Sequence, residues 1–197
     1  MESELIERVL HSRDQFAFAT LVKTHQSAVR GFLRRLTGGD VALAEDLAQE
    51  TFIKAYQNIS SYEHRGKFIS WLLTIAYQEF ALEYRKNKKF KKNISLFHGT
   101  DDAEFALRNN EGREQELDAS IAKLTIERLM SKLNQREQTL LTLTYQMGMT
   151  NHEISAIMNL PLGTVKSGIR RAKITLASLL KSEGDCKDRS DNATSRK

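Results

Sequence analysis

The chain has 197 residues, a net charge of +5 and a sequence pI of about 9.3, with 40% apolar and 28% charged residues. That balance suits a soluble globular protein with one sizeable core or two small ones, and the basic excess points toward an anionic partner without naming it. The single cysteine, Cys186, excludes a disulfide framework within the chain. The mixed opening "MESELIERVLHSRD" lacks a signal-peptide pattern, and no stretch nears the roughly 18 apolar residues of a membrane span, so a cytoplasmic location without membrane insertion is expected.

One proline, few turn residues and recurrent apolar spacings of three and four predict an all-α fold. Phe16, Ala19, Leu21, Val22, Val29, Phe32, Leu33 and Leu36 predict two amphipathic helices, ended by Gly38 and Gly39 in "TGGD". A third helix is expected from about Val41 to Asn58. Its wheel puts Ala44, Leu47, Ala48, Thr51, Phe52 and Ala55 on one face and Asp46, Gln49, Glu50, Ile53 and Gln57 on the other. An isoleucine ringed by polar and acidic residues is either a single stray apolar residue on a solvated face or the centre of a protein-docking patch. "SSYEHRGKF" reads as a loop, followed by a long fourth helix starting near Phe68; four such helices can form a compact bundle.

The composition then shifts. Arg85, Lys86, Lys88, Lys89, Lys91 and Lys92 form a basic run that is either a solvated helix end or a contact to DNA backbone. The acidic, weakly periodic stretch from Asp101 to Asp118 reads as a linker, helical signal returns near Ile121, and the polar end beyond Lys181 reads as a disordered tail.

"TNHEISAIMNLPLGTVKSGIRRAKITL" carries the strongest local signal. Thr150 and Glu153 have capping-box spacing, "NL" suits a tight turn, and Pro161 suits the first position of a new helix. In that second helix Val165, Ile169, Ala172 and Leu176 form one inward stripe, and Lys166, Ser167, Arg170 and Arg171 lie opposite. Two short helices, the second basic on its free face, describe a helix-turn-helix whose second helix enters a major groove. Arginines there pair with guanine edges or phosphates, and serine serves either role.

Three motifs occur in order: "DVALAEDLAQETFIKAY", "GKFISWLLTIA" and "LNQREQTLLTLTYQMGMTNHEISAIMNLPLGTVKSGIRRAK". Together they resemble a bacterial RNA polymerase sigma factor of the extracytoplasmic-function (ECF) group, over most of residues 10 to 180. The resemblance implies two small helical domains joined by a flexible linker: a four-helix sigma domain 2 over 1–92, a linker over 93–120, a helix-turn-helix sigma domain 4 over 121–181 and a polar tail over 182–197. It implies that Asp46, Gln49, Glu50 and Ile53 meet the clamp helices of the largest subunit of core RNA polymerase. It implies promoter DNA as a second partner, with Tyr62, His64, Arg65, Lys67 and Gln78 at the −10 element and Thr164, Lys166, Ser167, Arg170 and Arg171 at the −35 element. An anti-sigma factor is the third implied partner.

The chain departs from the family at several positions. Tyr77 and Gln78 stand where Arg-Asn is common, Leu82 stands where an Asp is common, and Gly168 replaces a residue that is often basic, which implies a lost phosphate contact. Phe68 and Trp71 read as core, because Trp71 and Ile75 continue one helical face. No catalytic constellation is expected. His11, His25, His64, His98 and His152 are scattered without metal-ligand spacing, no phosphate-binding glycine loop occurs, and no cofactor is implied. The rival readings are a helix-turn-helix regulator acting without core polymerase and a protein of the same fold that only sequesters partners.

Overall fold

The structure, a computed structural model, describes residues 2–63, 66–95 and 128–194, with side chains described as far as 86 in the second stretch and 181 in the third. All regular structure among the described residues is helical. The elements are α1 (Glu2–Ser12), α2 (Gln15–Leu36), α3 (Val41–Gln57), a short 3-10 turn (Ile59–Ser61), α4 (Phe68–Ser95), α5 (Gln135–Leu141) with a π turn (Thr142–Gln146), α6 (Asn151–Met158) and α7 (Leu162–Thr194).

Local chemistry explains most helix ends. Asp14 caps α2 by accepting the Phe16 and Ala17 N–H groups at 2.9 and 3.0 Å. Phe16 to Leu36, expected as two helices, is one, because nothing between these residues breaks the backbone ladder before Gly38. Gly38 and Gly39 adopt φ of 67° and 91°, which free the chain to turn, and Asp40 then caps α3 by accepting the Leu43 N–H. α1, which has only a short apolar pattern, lays Ile6 and Val9 into the core.

Helices α1 to α4 pack as one unit. From α2 come Leu21, Val29, Phe32 and Leu33, from α3 Ala44, Ala48 and Ala55, and from α4 Phe68, Leu72, Leu73, Ala76 and Phe80. The small residues of α3 let it lie close to its neighbours, so its outer face is held at a fixed height above a rigid support. Burial of each large side chain contributes about 1.5–3 kcal/mol before entropy is counted.

Helices α5 to α7 form the second unit. Asn134 and Glu137 make a capping box at α5, as Thr150 and Glu153 do at α6. Asn159 in the left-handed region, φ 49°, ends α6. Pro161 lies one place earlier than expected: its carbonyl accepts the Thr164 and Val165 N–H groups, which makes it the N-cap of α7. The inward stripe is as expected, with Val165, Ile169 and Ala172 buried and Leu176 half-buried. The segment expected as a disordered tail is instead a continuation of α7 to Thr194, since nothing after Pro161 removes a backbone donor. The expected linker over 93–120 falls almost wholly outside the described residues.

The two units touch. Their buried residues form one continuous cluster, with α6 lying against α4. Gln135 Nε2 donates to the Leu36 carbonyl at 3.1 Å, which satisfies a free carbonyl at the end of α2 from the other unit.

Candidate nucleic-acid and protein-docking surfaces

On α3 the expected division of faces holds. Ala44, Leu47, Ala48, Thr51 and Ala55 are buried, Asp46 and Gln49 are exposed, Glu50 is half-exposed, and Ile53 is 51% exposed. The four expected docking residues therefore share one outward face with an apolar side chain in it. Glu50 differs from the expectation of a simple acidic rim. Lys54 Nζ lies 3.5 Å from Glu50 Oε1 and 2.6 Å from Glu79 Oε2 on α4. The Glu79 hydrogen bond, with the charges of Glu79 and Glu50, holds the Lys54 amine above its ordinary value against partial desolvation. The i,i+4 pair of Glu50 and Lys54 is legible from spacing; its tie to α4 is not.

The loop before α4 is built around aromatic rings. The Tyr62 ring meets Phe68 edge-on at 5.3 Å and Trp71 at 5.7 Å, and its hydroxyl donates to the Gly66 carbonyl at 2.6 Å. Burial, then the Glu2 carboxylate, push the Tyr62 phenol above its ordinary value. Phe68 is buried and Trp71 half-buried, so both pack the core side as expected. Lys67 is exposed at the start of α4, and Gln78 is exposed about 16 Å further along the helix at 1.5 Å per residue. His64 and Arg65 lie outside the described residues. Of the described −10 candidates, Tyr62 and Lys67 lie in the entry to α4 and Gln78 lies about three turns along it, so the three do not form one cluster.

Tyr77 turns toward the second unit. Burial pushes its phenol up, while Arg136 and Arg85 pull it down. Leu82 is exposed. Arg85 and Lys86 are exposed at the start of the basic run, whose later side chains lie outside the described residues.

On α7, Lys166, Ser167, Arg170 and Arg171 are exposed and Thr164 is half-exposed, all away from the buried stripe. Ser167 donates back to the Thr164 carbonyl at 3.1 Å. The expectation at Gly168 is corrected. This residue is buried against α5, and a Cβ there would meet Leu140 Cδ1 at 2.5 Å. It faces the core, so no DNA contact is lost by its lacking a side chain. Two features leave no signal in the sequence: the contact of Ser70 with Glu153, and Tyr145 on the π turn, exposed beneath Lys173 Nζ at 5.1 Å.

Among the described residues no group of three His, Cys, Asp or Glu side chains could hold a metal ion, and no helix is long and apolar enough to cross a membrane.

A helix-turn-helix with a basic free face, beside a helical unit whose outer face has an apolar centre, is the architecture of a helical protein of the DNA-binding class. Residues 21–90 match the family described as Sigma-70 region 2, and residues 123–176 match Sigma-70, region 4. The RNA polymerase sigma-H factor of Pseudomonas aeruginosa is 31% identical over 179 residues, covering 87% of this chain and 90% of the relative. The ECF RNA polymerase sigma factor SigW of Bacillus subtilis is 32% identical over 171 residues, covering 85% and 91%. Among solved structures, the sigma factor RpoE in complex with the anti-sigma factor NepR from Bartonella quintana matches with a TM-score of 0.65 at 25% identity, over 83% of this chain and 96% of that one. CnrH in complex with the cytosolic domain of CnrY has the same TM-score at 22% identity, over 92% and 97%, a likeness of fold. The chain belongs to the ECF group of RNA polymerase sigma factors. It is a polymerase-binding factor that directs promoter-specific transcription initiation, and a regulator acting without core polymerase is not favoured.

Proposed function

We propose that the outer face of α3 is the polymerase-docking surface, with Ile53 seated among Asp46, Gln49 and Glu50 against the clamp helices of the largest subunit of core polymerase. One observation carries this reading. Ile53 is half-exposed although the inward face of α3 is complete without it. A solvated face gains nothing from an isoleucine, whereas a docked one buries it.

In the same reading Tyr62, His64, Arg65, Lys67 and Gln78 serve the −10 element, where an opened strand needs stacking surfaces and phosphate neutralisation. Thr164, Lys166, Ser167, Arg170 and Arg171 serve the −35 element through the major groove. The chain works in the cytoplasm as two domains, 1–92 and 121–181, and contributes no catalysis of its own; the polymerase supplies the chemistry. An anti-sigma factor is a further partner, supported by the solved RpoE–NepR relative.

Ile53→Glu tests the central element. A buried interface centre exchanged for a charge is expected to cost about 2–4 kcal/mol of core affinity. The melting temperature should be unchanged, since Ile53 is not part of the core. Core affinity unchanged from the parent chain would show that polymerase docks elsewhere.

A further inference from the structure

We propose that Glu79 of α4 is a positioning residue for polymerase docking: it holds the Lys54 ammonium toward α4 and so keeps the Glu50 carboxylate, on the outer face of α3, available to a basic group of core polymerase. The proposal rests on the reading of that face as the docking surface and adds a residue from outside it.

The four charged residues of α3 are Glu45, Asp46, Glu50 and Lys54. Glu45 is taken by Arg30 of α2, at 2.9 Å. Lys54 sits between two carboxylates, 2.6 Å from Glu79 Oε2 and 3.5 Å from Glu50 Oε1. The shorter contact is a hydrogen bond in a partly buried setting. The Glu79 side chain is 11% exposed and that of Glu50 47%. A carboxylate shielded from water attracts a cation more strongly than one open to it, so Glu79 is the dominant partner. The Glu79 hydrogen bond is also the largest influence holding the Lys54 amine above its ordinary value. With both pairs formed, the charges of α3 left for a partner are those of Asp46 and Glu50, on the face that carries Ile53.

Removing the Glu79 charge alters this balance. Glu50 precedes Lys54 by four residues, the favourable order for an ion pair along a helix. The ammonium then settles on Glu50 and cancels one of the two outward charges. A face complementary to a basic partner thereby loses steering and part of its affinity, although no residue in contact with the partner has changed. An ordinary ion pair between α3 and α4 would instead change stability slightly and leave docking alone.

Core polymerase binding by the full chain, labelled with a fluorophore, is measured over a range of salt. Glu79→Gln keeps the size of the side chain and removes its charge. It is expected to weaken core binding about fivefold at low salt, with the gap narrowing as salt rises. Lys54→Gln in the same chain removes the masking cation and should restore the parent affinity, and Lys54→Gln alone should bind at least as tightly as the parent. In a Glu50→Gln background, Glu79→Gln should have no further effect on affinity, because the carboxylate it protects is gone. A Glu79→Gln protein with parent affinity at low salt would overturn the proposal. So would a loss that Lys54→Gln does not restore, which is what a purely structural role for Glu79 gives, or weaker binding by Lys54→Gln alone, which would make Lys54 itself a contact. Ile53→Glu separates the two readings. Unchanged affinity there removes the docking surface and this proposal with it, whereas a loss there beside an unaffected Glu79→Gln removes this proposal alone.

Discussion

Gly168 offers a sharp test of the second unit, because packing and family resemblance make opposite predictions there. A Cβ at this position would lie 2.5 Å from Leu140 Cδ1, closer than carbon atoms approach without a shift. Leu140 is 1% exposed, so its isopropyl end moves only by displacing other core atoms. Overpacking of this kind costs about 1–3 kcal/mol. Against it stands the helix preference of alanine over glycine, about 1 kcal/mol. Gly168→Ala should therefore destabilise by about 1 kcal/mol net, a drop of about 2–4 °C in melting temperature for a chain of this size.

The Leu140→Val background removes the δ carbons and with them the clash. Gly168→Ala should then become stabilising, by up to about 1 kcal/mol, because only the helix preference remains. The coupling between the two sites, read from denaturant melts of the four proteins, should be about 2 kcal/mol. Gly168→Arg completes the argument. If the position faced DNA, the arginine would steepen the salt dependence of binding by about one unit of slope. Facing Leu140, it should unfold or distort the unit without steepening it. Equal effects of Gly168→Ala in both backgrounds, or a stable Gly168→Arg protein with a steeper slope, would refute the packing account.

Arg171→Ala should weaken −35 duplex binding by about 1–3 kcal/mol, with the larger loss on the matching sequence; an equal loss on unrelated DNA would mark a phosphate contact instead. Tyr62→Phe keeps the ring against Phe68 and Trp71 but removes the hydroxyl bond to Gly66, so promoter opening should fall while stability changes by no more than about 1 kcal/mol. Full opening activity in Tyr62→Phe together with its loss in Tyr62→Ala would show that the ring alone matters. For Glu153, burial opposes the charge, but the Thr150 groups, Ser70 and Lys67 outweigh it and hold the carboxyl below its ordinary 4.5. A depressed carboxyl stabilises the folded contact at neutral pH, and that stabilisation is lost as pH falls from about 4.5 through the folded value. Energy transfer between labels on the two units should drop over that window in the parent chain, and Glu153→Gln should remove the step.

What could be read from the sequence was what short spacings encode. The α3 wheel separated Ala44, Leu47 and Ala48 from Asp46, Gln49 and Ile53 correctly, because one turn of helix determines which side chains share a face. The inward stripe of α7 and the Thr150–Glu153 cap were legible for the same reason. The single long α2 and the helical extension of α7 are not encoded this way, since both depend on whether a helix stops where its apolar pattern fades. Polar residues with adequate helix preference carry the backbone ladder onward without an apolar face.

The failure at Gly168 had another origin. Resemblance supplied a column in which other members carry a basic side chain, and that column says nothing about how far Leu140 reaches from α5. The same blindness applies at Glu153, where the capping box accounts fully for its spacing from Thr150 and so leaves no residual signal. Its second oxygen is committed to Ser70, 83 residues earlier in the chain, and only the folded arrangement of the two units makes that visible. A residue whose local role is complete is a poor place to look for a distant partner from sequence. It is a good place for one physically, because the cap has already met the entropic cost of ordering the carboxylate, and a second bond can form with little further loss of freedom.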